Sequence, residues 1–222
     1  MADLSDFTSL HVGGPARDFV EVATEAEIIA ALEAAGDSPI LIIGGGTNML
    51  ISDAGFAGTV IRISNNQVKE EIDACSGATL TIGAGENWDE FVASTIERGF
   101  AGMETLSGIP GTVGAAPIQN IGAYGVEAKE TIQQITAYDT HTKQWVILDN
   151  DACQFSYRNS LFKKEKNRYI IAEVQFLLQK QPTLHTDYGV IREVLHQKQI
   201  KQASIEDICC TAFHNKVRED CN

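Results

Sequence analysis

The sequence predicts an α+β chain in two lobes, and three observations carry that prediction. Residues 1–64 follow a strand–helix–strand pattern, residues 65–200 are dominated by strand-like segments, and no repeat or low-complexity linker interrupts either part. The composition shifts near Ser64, which sets the expected boundary, and residues 201–222 read as a helical tail. With 222 residues, 44% of them hydrophobic and 21% charged, the chain has enough apolar material for a proper core.

Residues 19–22 read as a short strand. Thr24 followed by Glu27 is a capping box, so a helix starts there; Ile28, Ile29 and Leu32 give it an apolar face, and Gly36 stands where a terminating glycine belongs. The run Ile-Leu-Ile-Ile at 40–43 is continuous, as in a buried strand, and a parallel pair with the first strand is expected. Residues 59–63, 67–73 and 79–82 follow as strands, separated by turns at Asn65-Asn66 and Ser76-Gly77. Residues 87–98 read as a helix with Asn87 as its N-cap and Gly99 just beyond it. A hairpin is expected from strands 132–138 and 144–148 around residues 140–143, then a long strand at 169–178 and helices at 190–199 and 204–214.

A net charge of −13 argues against nucleic acid or an acidic membrane as the main partner, yet leaves room for a small anionic ligand held by backbone amides. The opening "MADLSDFTSL" has two aspartates and no apolar centre, so no signal peptide is expected. Apolar stretches such as "PILII" are far too short to span a bilayer, so no membrane partner is expected either. Five cysteines occur without a CxxC pair, and the histidine spacing suggests no metal site. A reduced cytoplasmic compartment follows, with Cys75 and Cys153 as buried structural thiols.

Two glycine stretches carry the functional signal. "LIIGGGTNML", residues 41–50, places three glycines directly after an apolar strand, where consecutive amides can cradle a phosphate. A Rossmann fingerprint fails because Met49 stands where its last glycine belongs, and a Walker loop fails because no Gly-Lys-Ser/Thr follows. A tight strand-exit turn is the plain alternative. The second stretch, "SGIPGTVGAAPIQNIGAYG" at 107–125, has five glycines, two prolines and hardly a charge. Gly108, Gly111, Gly114, Gly122 and Gly125 would leave amides bare on one surface, and Gln119, Asn120 and Tyr124 add groups for the edge of a flat ring. Together the stretches suit a ligand with a ring and a diphosphate tail.

The second stretch closely resembles the flavin-cradling segment of the UDP-N-acetylenolpyruvoylglucosamine reductases, also called UDP-N-acetylmuramate dehydrogenases. "HVGGPARDFVEV", "IGGGTNMLISDAGFAGTVI", "TIGAGENWDEFV" and "CQFSYRNSLFK" resemble the same family in order and spacing, over roughly residues 8–200. The resemblance implies a two-lobed FAD-binding fold of the vanillyl-alcohol-oxidase type, with FAD held non-covalently. Gly44, Gly45, Gly46, Thr47, Asn48 and Met49 would hold its diphosphate. Ser107, Gly108, Ile109, Pro110, Gly111, Gly114 and Ala115 would cradle it from the other side. Gln119, Asn120, Gly122, Ala123 and Tyr124 would face the isoalloxazine. NADPH is the implied hydride donor, and the implied reaction reduces an enolpyruvyl UDP-sugar to UDP-N-acetylmuramate in peptidoglycan synthesis.

Within "FSYRNSLFK" the family's catalytic arginine matches Arg158, beside Tyr157, and a fixed guanidinium suits charge developing on the enolpyruvyl carboxylate. "PTLHTDYGVIREVL" resembles the family's type I loop, in which Tyr188 would bind the substrate diphosphate. The family's third domain, with its G-N-x-G-S-F-F-K-N-P serine and a late glutamate, has no counterpart here, and after Asp207 the text "ICCTAFHNKVREDCN" departs from the pattern. The resemblance therefore implies a chain without the substrate domain, by truncation or frameshift, with impaired turnover and a surface open to self-association. A natural two-domain relative, a non-catalytic FAD-binding remnant and another flavin oxidoreductase on the same fold stand as the alternatives.

Overall fold

Thr24 and Gly36 delimit the first helix as their chemistry requires. Strand β1, Ala16–Val22, leads into helix α1, Glu25–Ala35. At its start Thr24 Oγ1 accepts from the Glu27 amide at 3.2 Å, and Glu27 Oε2 accepts from the Thr24 amide at 3.1 Å. At its end Gly36 adopts φ +54. Strands β2, Ile40–Ile43, and β3, Phe56–Ile63, complete a three-stranded sheet in a computed structural model that describes residues 2–73, 77–180 and 184–219.

The expected pairing of β1 with β2 is corrected here. Their order is β1-β3-β2, with β3 parallel to both. Residues 58–61 of β3 are buried in succession, whereas β2 is half-buried until Ile43. A strand covered on both faces belongs in the centre of a parallel sheet, so β3 takes the place expected of β2.

The second sheet is antiparallel throughout. Strands β4, Val68–Asp73, and β5, Gly77–Gly83, precede helix α2, Trp88–Glu97. Ser76 of the expected turn lies outside the described residues. Asn87 caps α2 as expected: its Oδ1 accepts from the amides of Asp89 at 2.9 Å and Glu90 at 3.1 Å. A short ribbon follows, β6 at Gly122–Ala123 with β7 at Val126–Glu127. Then come β8, Ile132–Asp139, β9, Gln144–Asp149, the single-turn helix α3, Leu161–Lys164, and β10, Tyr169–Gln179. The sheet order β4-β5-β10-β8-β9 puts β10 at the centre, where Val174 and Phe176 are fully buried.

One apolar cluster binds the two sheets together. Val22, Ile28 and Ile61 from the first side meet Leu80, Trp88, Ile135 and Phe176 from the second. The Trp88 indole is buried with its Nε1 donating to the Leu106 carbonyl at 3.0 Å. Helices α4, Gly189–Gln197, and α5, Ile205–Glu219, pack through Ile191, Leu195 and Ile208, with Tyr124 against them. Among the described residues no helix is long and apolar enough to cross a membrane, and no group of His, Cys, Asp and Glu could hold a metal ion.

Candidate cofactor site

Strand β2 ends at Ile43 and releases the chain into Gly44, Gly45 and Gly46. Among the described residues, none of the five successive amides of residues 44–48 donates to a protein acceptor. Gly46 has φ +61, and a Cβ there would overlap the Phe7 carbonyl oxygen. A Cβ on Gly44 would overlap Thr112 Oγ1, and one on Gly45 would sit 3.3 Å from Gly111 Cα. Thr47 Oγ1 donates to the Pro110 carbonyl at 3.5 Å. The two glycine stretches, more than sixty residues apart in sequence, therefore lie against each other.

The second stretch is not the structureless loop its composition suggests. It docks onto residues 84–89: Trp88 N donates to Gly111 O at 3.1 Å, Val113 N to Glu86 O at 2.9 Å and Gly114 N to Ala84 O at 2.9 Å. Ser107 Oγ and the Gly108 amide both donate to Asp89 Oδ1, at 2.9 and 2.5 Å. Gly108 and Gly114 thus do not present bare amides, contrary to the sequence expectation. Glycine at 114 serves a close approach instead, since a Cβ there would lie 2.5 Å from Ala84 Cβ.

A cavity of about 940 Å³ opens beside this contact. Ile29, Leu32, Ile40 and Ile42 wall one side, while Tyr138, Phe162, Tyr169 and Ile170 wall the other. Gly44, Thr112, Gly114 and Ala115 form its end nearest the glycine contact, and Lys143, Lys163 and Lys166 also line it. The lysines, Thr112 and the α1 side chains were not foreseen. Ile29 and Leu32 read as ordinary core positions, and scattered lysines carry no pattern until folding gathers them. A second cavity of about 230 Å³ runs along Gly44 and Gly45, with Asp6, Thr8 and Arg62.

Other expected site residues lie elsewhere. Met49 packs with Leu4, Ile43 and Val60 in a separate apolar cluster. Ser107, Gly108, Ile109, Pro110, Gly111, Gln119, Asn120, Gly122, Ala123 and Tyr124 do not line the larger cavity. Asn120 is wholly buried with both ends of its amide bonded inside the protein. The Tyr124 ring stands edge-on to Tyr188 with centroids 5.6 Å apart, and its hydroxyl donates to Ala212 O at 3.5 Å. Arg158 is exposed, at φ +52, and its Nη2 donates to Gly122 O at 3.1 Å. That bond joins the arginine to the segment expected to face the ring. Tyr157 beside it is 84% exposed. Near the docking segment, burial and then the neighbouring Glu90 hold the Glu86 carboxyl above its ordinary value.

The FAD binding domain family matches residues 16–144, a span that holds both glycine stretches and ends before Arg158. The UDP-N-acetylenolpyruvoylglucosamine reductase of Streptomyces avermitilis is 46% identical over 180 residues, covering 80% of this chain and 48% of that protein. The reductase of the same name from Pseudomonas aeruginosa is 39% identical over 207 residues, covering 92% of this chain and 61% of that one. The chain thus spans 48% to 61% of the length of these curated relatives. Among solved structures, the UDP-N-acetylenolpyruvylglucosamine reductase of Thermus caldophilus gives a TM-score of 0.68 at 24% identity, over 91% of this chain and 70% of that one. A VAO-type flavoprotein from Myceliophthora thermophila gives 0.52 at 17% identity, over 73% of this chain and 31% of that one, a likeness of fold alone. The expected two-lobed FAD-binding fold of the vanillyl-alcohol-oxidase type is thus the observed one. From the family match over 129 of its 222 residues, the chain belongs to the FAD binding domain family, and over the spans given it is similar to the proteins named UDP-N-acetylenolpyruvoylglucosamine reductase.

Proposed function

We propose that this chain binds FAD non-covalently and serves the reduction of UDP-N-acetylglucosamine enolpyruvate to UDP-N-acetylmuramate in peptidoglycan synthesis, with NADPH as hydride donor. The observation that carries the reading is the row of five amides at residues 44–48 that, among the described residues, donate to no protein acceptor, pressed against the second glycine stretch beside a cavity of about 940 Å³. Such a row suits the oxygens of a diphosphate. The apolar walls suit the rings and ribose, and three lysines inside a chain of net charge −13 favour an anionic occupant. Among the described residues no cysteine or histidine lines the cavity, which suits non-covalent attachment. Bound FAD would supply hydride transfer from the nicotinamide to the vinyl carbon of the substrate.

The chain's own contribution would centre on Arg158. Hydride addition to an enolpyruvyl ether drives negative charge toward the carboxylate. A guanidinium stays protonated and binds a carboxylate through two parallel bonds. Among the described residues the Arg158 guanidinium makes one bond, to Gly122 O, which leaves further donors for a substrate. Tyr157 and Tyr188 are both exposed and available to the UDP-sugar in this reading.

Flavin-free protein titrated with FAD and passed through gel filtration tests the cofactor. Co-elution of one flavin per chain supports the reading, and elution without flavin rejects it. Arg158→Ala should leave FAD binding and NADPH-driven flavin reduction nearly unchanged. The same change in a version carrying the family's third domain should slow reoxidation by the enolpyruvyl sugar by roughly 10²–10³-fold, as loss of a preorganised charge partner does. Loss of FAD binding in Arg158→Ala would instead make Arg158 a cofactor or structural residue.

A further inference from the structure

Asn120 is 0% exposed and lies in the middle of the second glycine stretch. Its Nδ2 donates to the Ser156 carbonyl at 3.1 Å, and its Oδ1 accepts from the Lys129 amide at 3.0 Å. Two further bonds join the same pair of segments. Ser160 Oγ donates to the Ile118 carbonyl at 2.6 Å, and Arg158 Nη2 donates to the Gly122 carbonyl at 3.1 Å. Between them residues 156–159 form a tight turn closed by reciprocal Ser156–Asn159 backbone bonds, each 3.0 Å. The turn is therefore clipped to residues 118–122 at three points. Asn120, Tyr124 and Arg158 all hold left-handed backbone, at φ +47, +51 and +52. L-residues stay in that region only where the surroundings over-determine them.

We infer that Asn120 is a positioning residue for Arg158. It lines neither cavity; its Nδ2 holds residue 120 to the Ser156 end of the turn, and its Oδ1 anchors the same side chain to the Lys129 amide. The inference rests on the reading of Arg158 as the partner of the substrate carboxylate. Ser156 is exposed and its carbonyl keeps the Asn159 amide at 3.0 Å, so removing the Nδ2 donor leaves no orphaned acceptor; it removes the clip that holds the Ser156 end of the turn against residue 120. The left-handed conformation at Arg158 then loses its support, and the guanidinium loses its fixed place beside Gly122.

The test uses the FAD-loaded chain. Flavin absorbance follows titration with the enolpyruvyl UDP-sugar and, separately, with UDP-N-acetylglucosamine, which lacks the carboxylate. The ratio of the two dissociation constants isolates carboxylate recognition. Asn120→Asp keeps the acceptor for Lys129 and removes the donor to Ser156. It should shrink the ratio by about tenfold or more, as Arg158→Ala does, with FAD affinity within about threefold of the parent. Amide hydrogen exchange at Ser156 and Asn159 should accelerate by about tenfold while the centre of β10 stays protected. Ser160→Ala, which removes another clip, should shift both readouts in the same direction. A ratio that survives Arg158→Ala sinks the reading of Arg158 itself. A ratio lost in Arg158→Ala but kept in Asn120→Asp overturns the inference, as does a loss of FAD affinity in Asn120→Asp. The exchange measurement needs no sugar, and unchanged exchange at Ser156 and Asn159 also overturns it.

Discussion

Gly36 and Gly46 share nearly the same backbone angle, φ +54 and +61, and differ in what surrounds them. Nothing lies within 4 Å of a Cβ added at Gly36, whereas one at Gly46 would overlap the Phe7 carbonyl. Gly36→Ala should therefore cost only the backbone strain of its positive φ, about 1–3 kcal/mol, and Gly46→Ala about 1–3 kcal/mol more for overpacking. Only the second should also weaken FAD binding, because it displaces the row of amides; equal FAD affinity in both variants counts against the proposed cradle. Cys153 offers a second check at this scale. Burial, and then the nearby Asp149, push its thiol up to about 12. Native protein at pH 8 treated with iodoacetamide should be alkylated at exposed Cys210 and spared at Cys153. Labelling of Cys153 before unfolding would contradict its placement.

Asp139 ties the β8–β9 hairpin to β10. Its carboxylate accepts from Arg168 Nε and Nη2, and from the amides of His141 and Thr142. The Arg168 guanidinium first, aided by those amides and against the pull of burial, lowers the Asp139 carboxyl from 3.8 to about 2. A carboxyl depressed on folding contributes stability above its unfolded value, and that contribution fades as pH falls from 3.8 through about 2. Asp139→Asn should lower Tm at pH 7 by about 5 °C. The gap between parent and variant should close as pH approaches 2, and a gap that is constant with pH rejects the linkage. Helix α2 makes a second prediction. Asn87→Ala removes both bonds of its N-cap and should cost about 1 kcal/mol in urea unfolding. It should also loosen the second glycine stretch, because residue 87 pairs directly with Thr112.

The whole molecule sets its site between two sheets that share one core. A ligand bound there contacts α1 and β2 on one side and β8 and β10 on the other, so its binding energy adds to the stability of the folded chain. FAD at a hundredfold excess over its dissociation constant should stabilise the protein by about 2.7 kcal/mol and raise Tm by roughly 5–10 °C. FMN lacks the adenosine half and should give a markedly smaller shift. Equal shifts from FAD and FMN would mean that the cavity holds only the flavin half.

The sequence by itself determined the local elements and the family. The capping box at Thr24, the cap at Asn87, the hairpin at residues 140–143 and the glycine at 36 act over a few residues, where near neighbours decide the conformation. The glycine stretches were legible for the same reason, since five glycines in nineteen residues cannot build a core element. Tertiary structure alone decided which strand lies at the centre of the first sheet, because β2 and β3 carry similar apolar text and only burial on both faces separates them. It also decided that Asp89 takes the donors of Ser107 and Gly108, and that Asn120 holds the Arg158 turn. Those bonds link residues eighteen or more positions apart, a separation at which sequence spacing says nothing about distance. A glycine-rich segment announces that something must approach closely; only the folded chain shows whether that is a ligand, as the free amides of residues 44–48 suit, or the protein's own Ala84 and Phe7.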